Sequence, residues 1–134
     1  MSVLQIEKHL EDAVKLFQIS RKGIKYKVFE SIVKSGPFSI KDWCKFLHLT
    51  DRTLQRYNKA QKSFEDIHAQ RILQVAKFQS RGKEIFGSVQ SFGQWMNGKN
   101  VALGGLLPID LVSNSFGLTM LNDELTRIEY GVLA

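Results

Sequence analysis

Apolar side chains return at three- and four-residue steps in one segment of this chain after another, and no segment alternates apolar with polar at every second position. That periodicity restricts the chain to helices that each bury one face. Residues 2–18 carry Val3, Ile6, Leu10, Ala13 and Phe17 on one stripe, with Ser2 and Gln5 spaced as a capping box, and predict a single amphipathic helix. A second helix is predicted over 24–34, with Val28, Phe29, Ile32 and Val33 inward and a stop at Ser35, Gly36 and Pro37. Short helices follow over 39–47 and from Thr50 or Asp51 to Ala60, then a longer one from Ser63 to Gly82 with Phe64, Ile67, Ile72, Val75 and Ala76 inward. Val89, Phe92 and Trp95 mark a helix over 88–97, and a glycine-rich connection over 98–105 leads to Pro108, which suits the first turn of a brief helix over 108–112. Leu118, Leu121, Leu125, Ile128 and Val132 mark the last one. The expected fold is all-α, with about seven helices.

At 134 residues, with 43% hydrophobic residues and two prolines, the composition is that of a folded chain with one core or a small module beside it. No apolar run reaches the roughly 18 residues that a bilayer span needs, and Lys8, Glu11, Asp12 and Lys15 interrupt the place of a signal peptide. A cytoplasmic protein is expected. Cys44 is the only cysteine, which excludes an intrachain disulfide. Charge is unevenly spread: residues 1–20 carry a net −1, residues 21–83 a net +10 and residues 84–134 a net −3. A middle this basic attracts a polyanion, nucleic acid first, because each lysine or arginine that meets a phosphate releases a counterion. A lysine-rich solvated surface is the other reading of the charge.

A motif lies within the basic stretch. A helix-turn-helix unit needs a small residue where its helices touch, an apolar residue at the turn and apolar residues on the inner side of the second helix. Cys44, Leu49, Leu54 and Tyr57 meet those demands in order, while His48 stands at the turn where glycine is common and a left-handed backbone is often needed, which departs from the usual pattern. A plain helical hairpin shares this spacing. If the second helix enters a major groove, Thr50, Arg52, Thr53, Gln55 and Arg56 are the candidate DNA-binding residues, with the arginines suited to guanine or phosphate and Gln55 to adenine. Lys41, Lys45, Lys59 and Lys62 would meet backbone phosphates, and Asp51 is a helix cap.

The last third contains Ile-Phe-Gly-Ser at 85–88, then Phe92, Trp95 and Met96, then Asn-Val-Ala-Leu-Gly-Gly-Leu-Leu-Pro-Ile-Asp-Leu-Val at 100–112, and finally Leu-Thr-Arg-Ile-Glu-Tyr-Gly-Val-Leu-Ala at 125–134. In these features the chain resembles the Xre-type antitoxins that end in an Xre/MbcA/ParS toxin-binding domain and accompany RES-domain toxins. Leu107 stands before the proline where that family has a small polar residue. The resemblance implies a homodimeric or larger antitoxin that sequesters a RES-type toxin, an NAD-degrading enzyme, and represses its own operon by binding operator DNA. It also implies toxin-binding residues: Asn100 and Leu103 in the loop, and Arg127, Glu129, Tyr130, Gly131 and Val132 in the tail. Read by chemistry alone, Glu129, Tyr130 and Arg127 offer acceptors, an aromatic anchor and a donor fork, or else an ordinary helix end.

No catalytic constellation is evident. His9, His48 and His68 lack ligand spacing, so no metal is expected, and neither Gly82-Lys83 nor Gly98-Lys99 sits in a phosphate-binding loop, so no cofactor is expected. Cys44 has no base beside it in the motif, and Asp123, Glu124 and Glu129 read as solvated helix positions. The chain is not expected to be an enzyme. It divides into an N-terminal helix for packing or dimerisation (1–19), a helix-turn-helix region (20–83) and a toxin-binding region (84–134).

Overall fold

The computed structural model describes residues 2–131, which form eight α-helices, two 3-10 turns and one minimal sheet, so the fold is all-α. The chain divides into two compact units, with the boundary between Ser80 and Arg81 inside the longest helix. Among the described residues no helix is long and apolar enough to cross a membrane.

The first unit opens with α1 (Val3–Lys8) and α2 (Ala13–Lys22), where one helix was expected. The Ser2–Gln5 capping box forms as expected. The break comes from Asp12, whose carboxylate accepts the Lys15 N–H at 3.1 Å and so starts a new helix. The helical phase resets there. Ile6, Leu10 and Ile19 are buried, whereas Ala13 is exposed and Phe17 keeps 64% of its surface in solvent, against the expectation that both face inward.

Ile24–Lys25 (β1) pairs antiparallel with Ser63–Phe64 (β2), in the register Ile24 to Phe64. Both segments were expected to begin helices. Two-residue strands carry no readable period, and the approach is made possible by Gly23, at φ +93°, where a Cβ would stand 2.9 Å from the Phe64 carbonyl oxygen. Helices α3 (Tyr26–Lys34), α4 (Ile40–Leu47), α5 (Asp51–Ala60) and α6 (Asp66–Phe86) complete the unit. Phe29 is the hub of its core, meeting the Trp43 ring edge-on at 5.5 Å and the Phe64 ring at 4.9 Å.

Two buried polar side chains of α6 tie the unit together. Arg71 donates from Nε to the Phe46 carbonyl at 3.3 Å, and burial pushes its guanidinium pKa down. Gln79 donates to the Ile32 carbonyl at 3.0 Å and to Ser35 Oγ at 3.1 Å, satisfying the end of α3. A Cβ on Gly36 would lie 2.7 Å from Gln79 Nε2 and closer to its Oε1, so the stop at Gly36 makes room for this side chain. Ile67, expected inward, is 66% exposed.

The second unit contains the end of α6, α7 (Val89–Met96), 3-10 turns at Val101–Leu103 and Pro108–Leu111, and α8 (Ser115–Gly131). Helix α6 runs through Gly82 instead of stopping there. A Cβ at that position would lie 2.6 Å from Phe92 Cδ1, so glycine lets the Phe92 ring lie against the helix. Phe92, Met96, Leu103, Pro108, Val112, Leu118, Leu121 and Leu125 form the buried core, and Trp95 is half-buried against Phe86, with ring centres 5.3 Å apart. Pro108 occupies the first position of its 3-10 turn, as its fixed φ favours.

Candidate functional site

In the first unit, α4 and α5 are joined by three residues. Ser39 and Asp42 close a reciprocal capping box at the start of α4, with hydrogen bonds of 2.9 and 3.1 Å. The helix ends at His48, whose backbone is left-handed (φ 56°, ψ 39°), and Leu49 N–H returns to the Cys44 carbonyl at 3.0 Å. Thr50 caps α5 by accepting the Thr53 N–H at 3.1 Å. Cys44 and Leu54 are buried, and Tyr57 stacks on Phe64 at 4.9 Å. Burial first, and the Asp51 carboxylate second, raise the Cys44 thiol pKa, so the group is a packing residue held in its neutral form.

The outward side of the pair is basic. Lys41 and Lys45 lie one turn apart on α4, and Arg52, Gln55, Arg56 and Lys59 share one side of α5, all exposed. Thr53 is half-buried, and the Thr50 and Thr53 hydroxyls bond each other at 2.9 Å within the cap. Gln55 donates one amide hydrogen to Asp51 at 3.1 Å, which turns the side chain back along the helix. Lys62 lies 4.9 Å from the centre of the Tyr57 ring, a cation–π contact within the unit.

In the second unit the connection after α7 is closed by backbone bonds to a single residue. Asn100 donates its N–H to the Leu106 carbonyl at 3.1 Å, while its carbonyl accepts from Leu103 at 3.1 Å and Gly105 at 2.8 Å. Gly104 and Gly105 take positive φ, 74° and 79°, with open space where a Cβ would be, so the glycines serve the turn. Leu103 is 5% exposed and packs into the core of the unit. Val101, beside it, is 94% exposed.

Helix α8 begins at Asn114, whose side chain accepts the Gly117 N–H at 3.0 Å. Gly117 is pressed onto the preceding turn: a Cβ there would lie 2.9 Å from the Leu111 carbonyl carbon and closer to its oxygen. Glu124, expected in solvent, is buried at 6% exposure on the inner side of the helix. Arg127 covers it, donating from Nε to both carboxylate oxygens at 3.1 and 2.9 Å and from Nη2 to Oε1. That fork raises the arginine pKa and commits Nε and Nη2 to Glu124. Arg81 plays a similar part, donating to the Asn122 carbonyl at 3.1 Å and to Thr126 Oγ1 at 2.6 Å.

At 100° per residue Arg127 and Tyr130 share one side of α8, whereas Glu129 lies about 160° from Arg127 around the axis. Glu129, Tyr130 and Gly131 are exposed, and Val132 lies outside the described residues. Sequence reasoning missed Phe116, 82% exposed, and Met120, 41% exposed, on the side that carries Tyr130. Their signal was present: both fall out of phase with Leu118, Leu121 and Leu125.

Val101, Phe116 and Met120 are thus bulky apolar side chains held outward from a closed core. Residues 81–131 match the family of the antitoxin Xre/MbcA/ParS C-terminal toxin-binding domain. The match spans the second unit, so this part of the chain is similar to that toxin-binding domain. No curated protein matches the chain.

Proposed function

We propose that this chain is the antitoxin of a type II toxin–antitoxin pair, that its second unit captures and blocks a RES-type, NAD-degrading toxin, and that its first unit represses the pair's own promoter. The observation that carries the reading is the match of residues 81–131 to the toxin-binding family. Catalysis belongs to the toxin in this reading, and both partners are met in the cytoplasm.

Support for the promoter role comes from the capped pair α4 and α5, with its left-handed turn at His48 and its exposed Lys41, Lys45, Arg52, Gln55, Arg56 and Lys59. In this reading α5 is the recognition helix of a helix-turn-helix and the lysines meet phosphate. Thr50 and Thr53 act as the cap that aims its first turn at the groove. A homodimer would present two such helices to half-sites about 34 Å apart. Leu4, Val14 and Phe17, exposed on α1 and α2, are the apolar side chains that a second copy would cover.

The test is co-expression with the product of the adjacent reading frame. That product alone should arrest growth and deplete NAD, the full chain should restore both and co-purify with it, and the purified chain should retard a promoter fragment. A chain ending at Leu125 should keep the promoter shift and lose neutralisation. A harmless neighbour would sink the antitoxin reading, and an unshifted promoter would sink the repressor reading.

A further inference from the structure

The outward side of α8 is a continuous stripe: Phe116, Met120, Asp123, Arg127 and Tyr130 are spaced by four, three, four and three residues and are all exposed. They fall within about 80° of arc and run about 21 Å along the axis. Leu118, Leu121, Glu124 and Leu125 are buried on the other side, and Ile128 is half-buried. The helix is therefore firmly seated by one face and leaves the other unpartnered.

The backbone at the start of this stripe is held by packing and a cap. Gly117 rests against the Leu111 backbone, Leu118 is buried and Asn114 caps the turn, which together fix the direction of Phe116. An aromatic ring 82% in solvent contributes almost nothing to the fold that holds it, and a backbone set in advance removes part of the ordering cost of docking it. Arg127 sits mid-stripe with its donors already committed to a buried carboxylate. Pulling it away would leave Glu124 buried without a counter-charge.

Charge indicates what faces the stripe. Arg127 neutralises Glu124, and among the described residues no ion pair engages Asp123, so the uncompensated charge on the stripe is the Asp123 carboxylate. We infer that the toxin grips α8 along this stripe, through an apolar socket that takes Phe116 and Met120 and is bordered by lysine or arginine, with Arg127 acting as a positioning residue. The inference rests on the antitoxin reading and deepens it. The anchor lies at the start of α8, about four turns before the tail.

The experiment measures binding of the full chain to the purified product of the adjacent frame, by calorimetry, for wild type, Phe116→Ser, Met120→Gln and a chain ending at Leu125. Phe116→Ser should weaken binding about 30-fold or more, as loss of a central aromatic anchor does, and Met120→Gln by about tenfold, both with unchanged helicity and melting temperature. Raising salt should weaken the wild-type complex. If Phe116→Ser loses helicity, Met120→Gln, one turn on, still decides the matter. Wild-type affinity in both variants, with binding lost only on truncation, would overturn the stripe and leave the antitoxin reading standing. A wild-type chain that does not bind this product at all would refute the antitoxin reading itself.

Discussion

Gly117 and the Glu124–Arg127 pair decide how α8 sits, and neither was legible as such. A methyl group at position 117 would collide with backbone, which cannot rotate away as a side chain can. Gly117→Ala is expected to destabilise the second unit by about 3 kcal/mol, the upper part of the range for overpacking. Denaturant unfolding followed by Trp95 emission in a Trp43→Phe background measures it, and an unchanged midpoint would mean that α8 does not rest on Leu111. Glu124 was misplaced because charge was weighed over phase: position 124 lies on the same side as 117, 121 and 128, which are buried or half-buried. Arg127 then follows, three residues on, as the group that makes a buried carboxylate tolerable.

Helices α4 and α5 were legible almost to the residue, since caps are local: Ser39, Asp42 and Thr50 lie where their hydrogen bonds require them. His48 stands where a left-handed backbone is often needed, and its φ is 56°. A left-handed L-residue costs about 1–2 kcal/mol, so His48→Gly should raise the stability of the first unit by about 1 kcal/mol, after the added chain entropy of glycine is subtracted. Thermal melting of the variant checks this, and a lowered midpoint would show that the imidazole contributes more than the turn costs. Other elements were legible only in part. The split between α1 and α2 was missed because Asp12 fits the solvent side of one long helix as well as it fits a cap. The end of α6 was placed short because Gly82 resembles a stop, and only the position of Phe92, ten residues on, reveals its use.

At the scale of the whole chain, the uneven charge was the plainest signal: the first unit, residues 1–80, carries a net +7 and the second, residues 81–134, a net −1. If Lys41, Lys45, Arg52, Arg56 and Lys59 all meet phosphate, the logarithm of promoter affinity should fall with the logarithm of salt at a slope of about −4 to −5 per protomer. Fluorescence anisotropy between 50 and 300 mM salt, at roughly tenfold dilution steps of protein, reads that slope, and a value near zero would reduce the basic face to a solubility feature. The exposed side of α8 was less legible, because only the phase of Phe116 and Met120 against Leu118, Leu121 and Leu125, and not their residue type, sets them apart from core residues. One property of the chain follows from its two tryptophans, one to each unit. Trp43 is sealed among apolar rings and should emit to the blue of half-exposed Trp95. An encounter confined to one unit should therefore alter one flank of the shared emission more than the other, so the unlabelled protein reports which of its units has been touched.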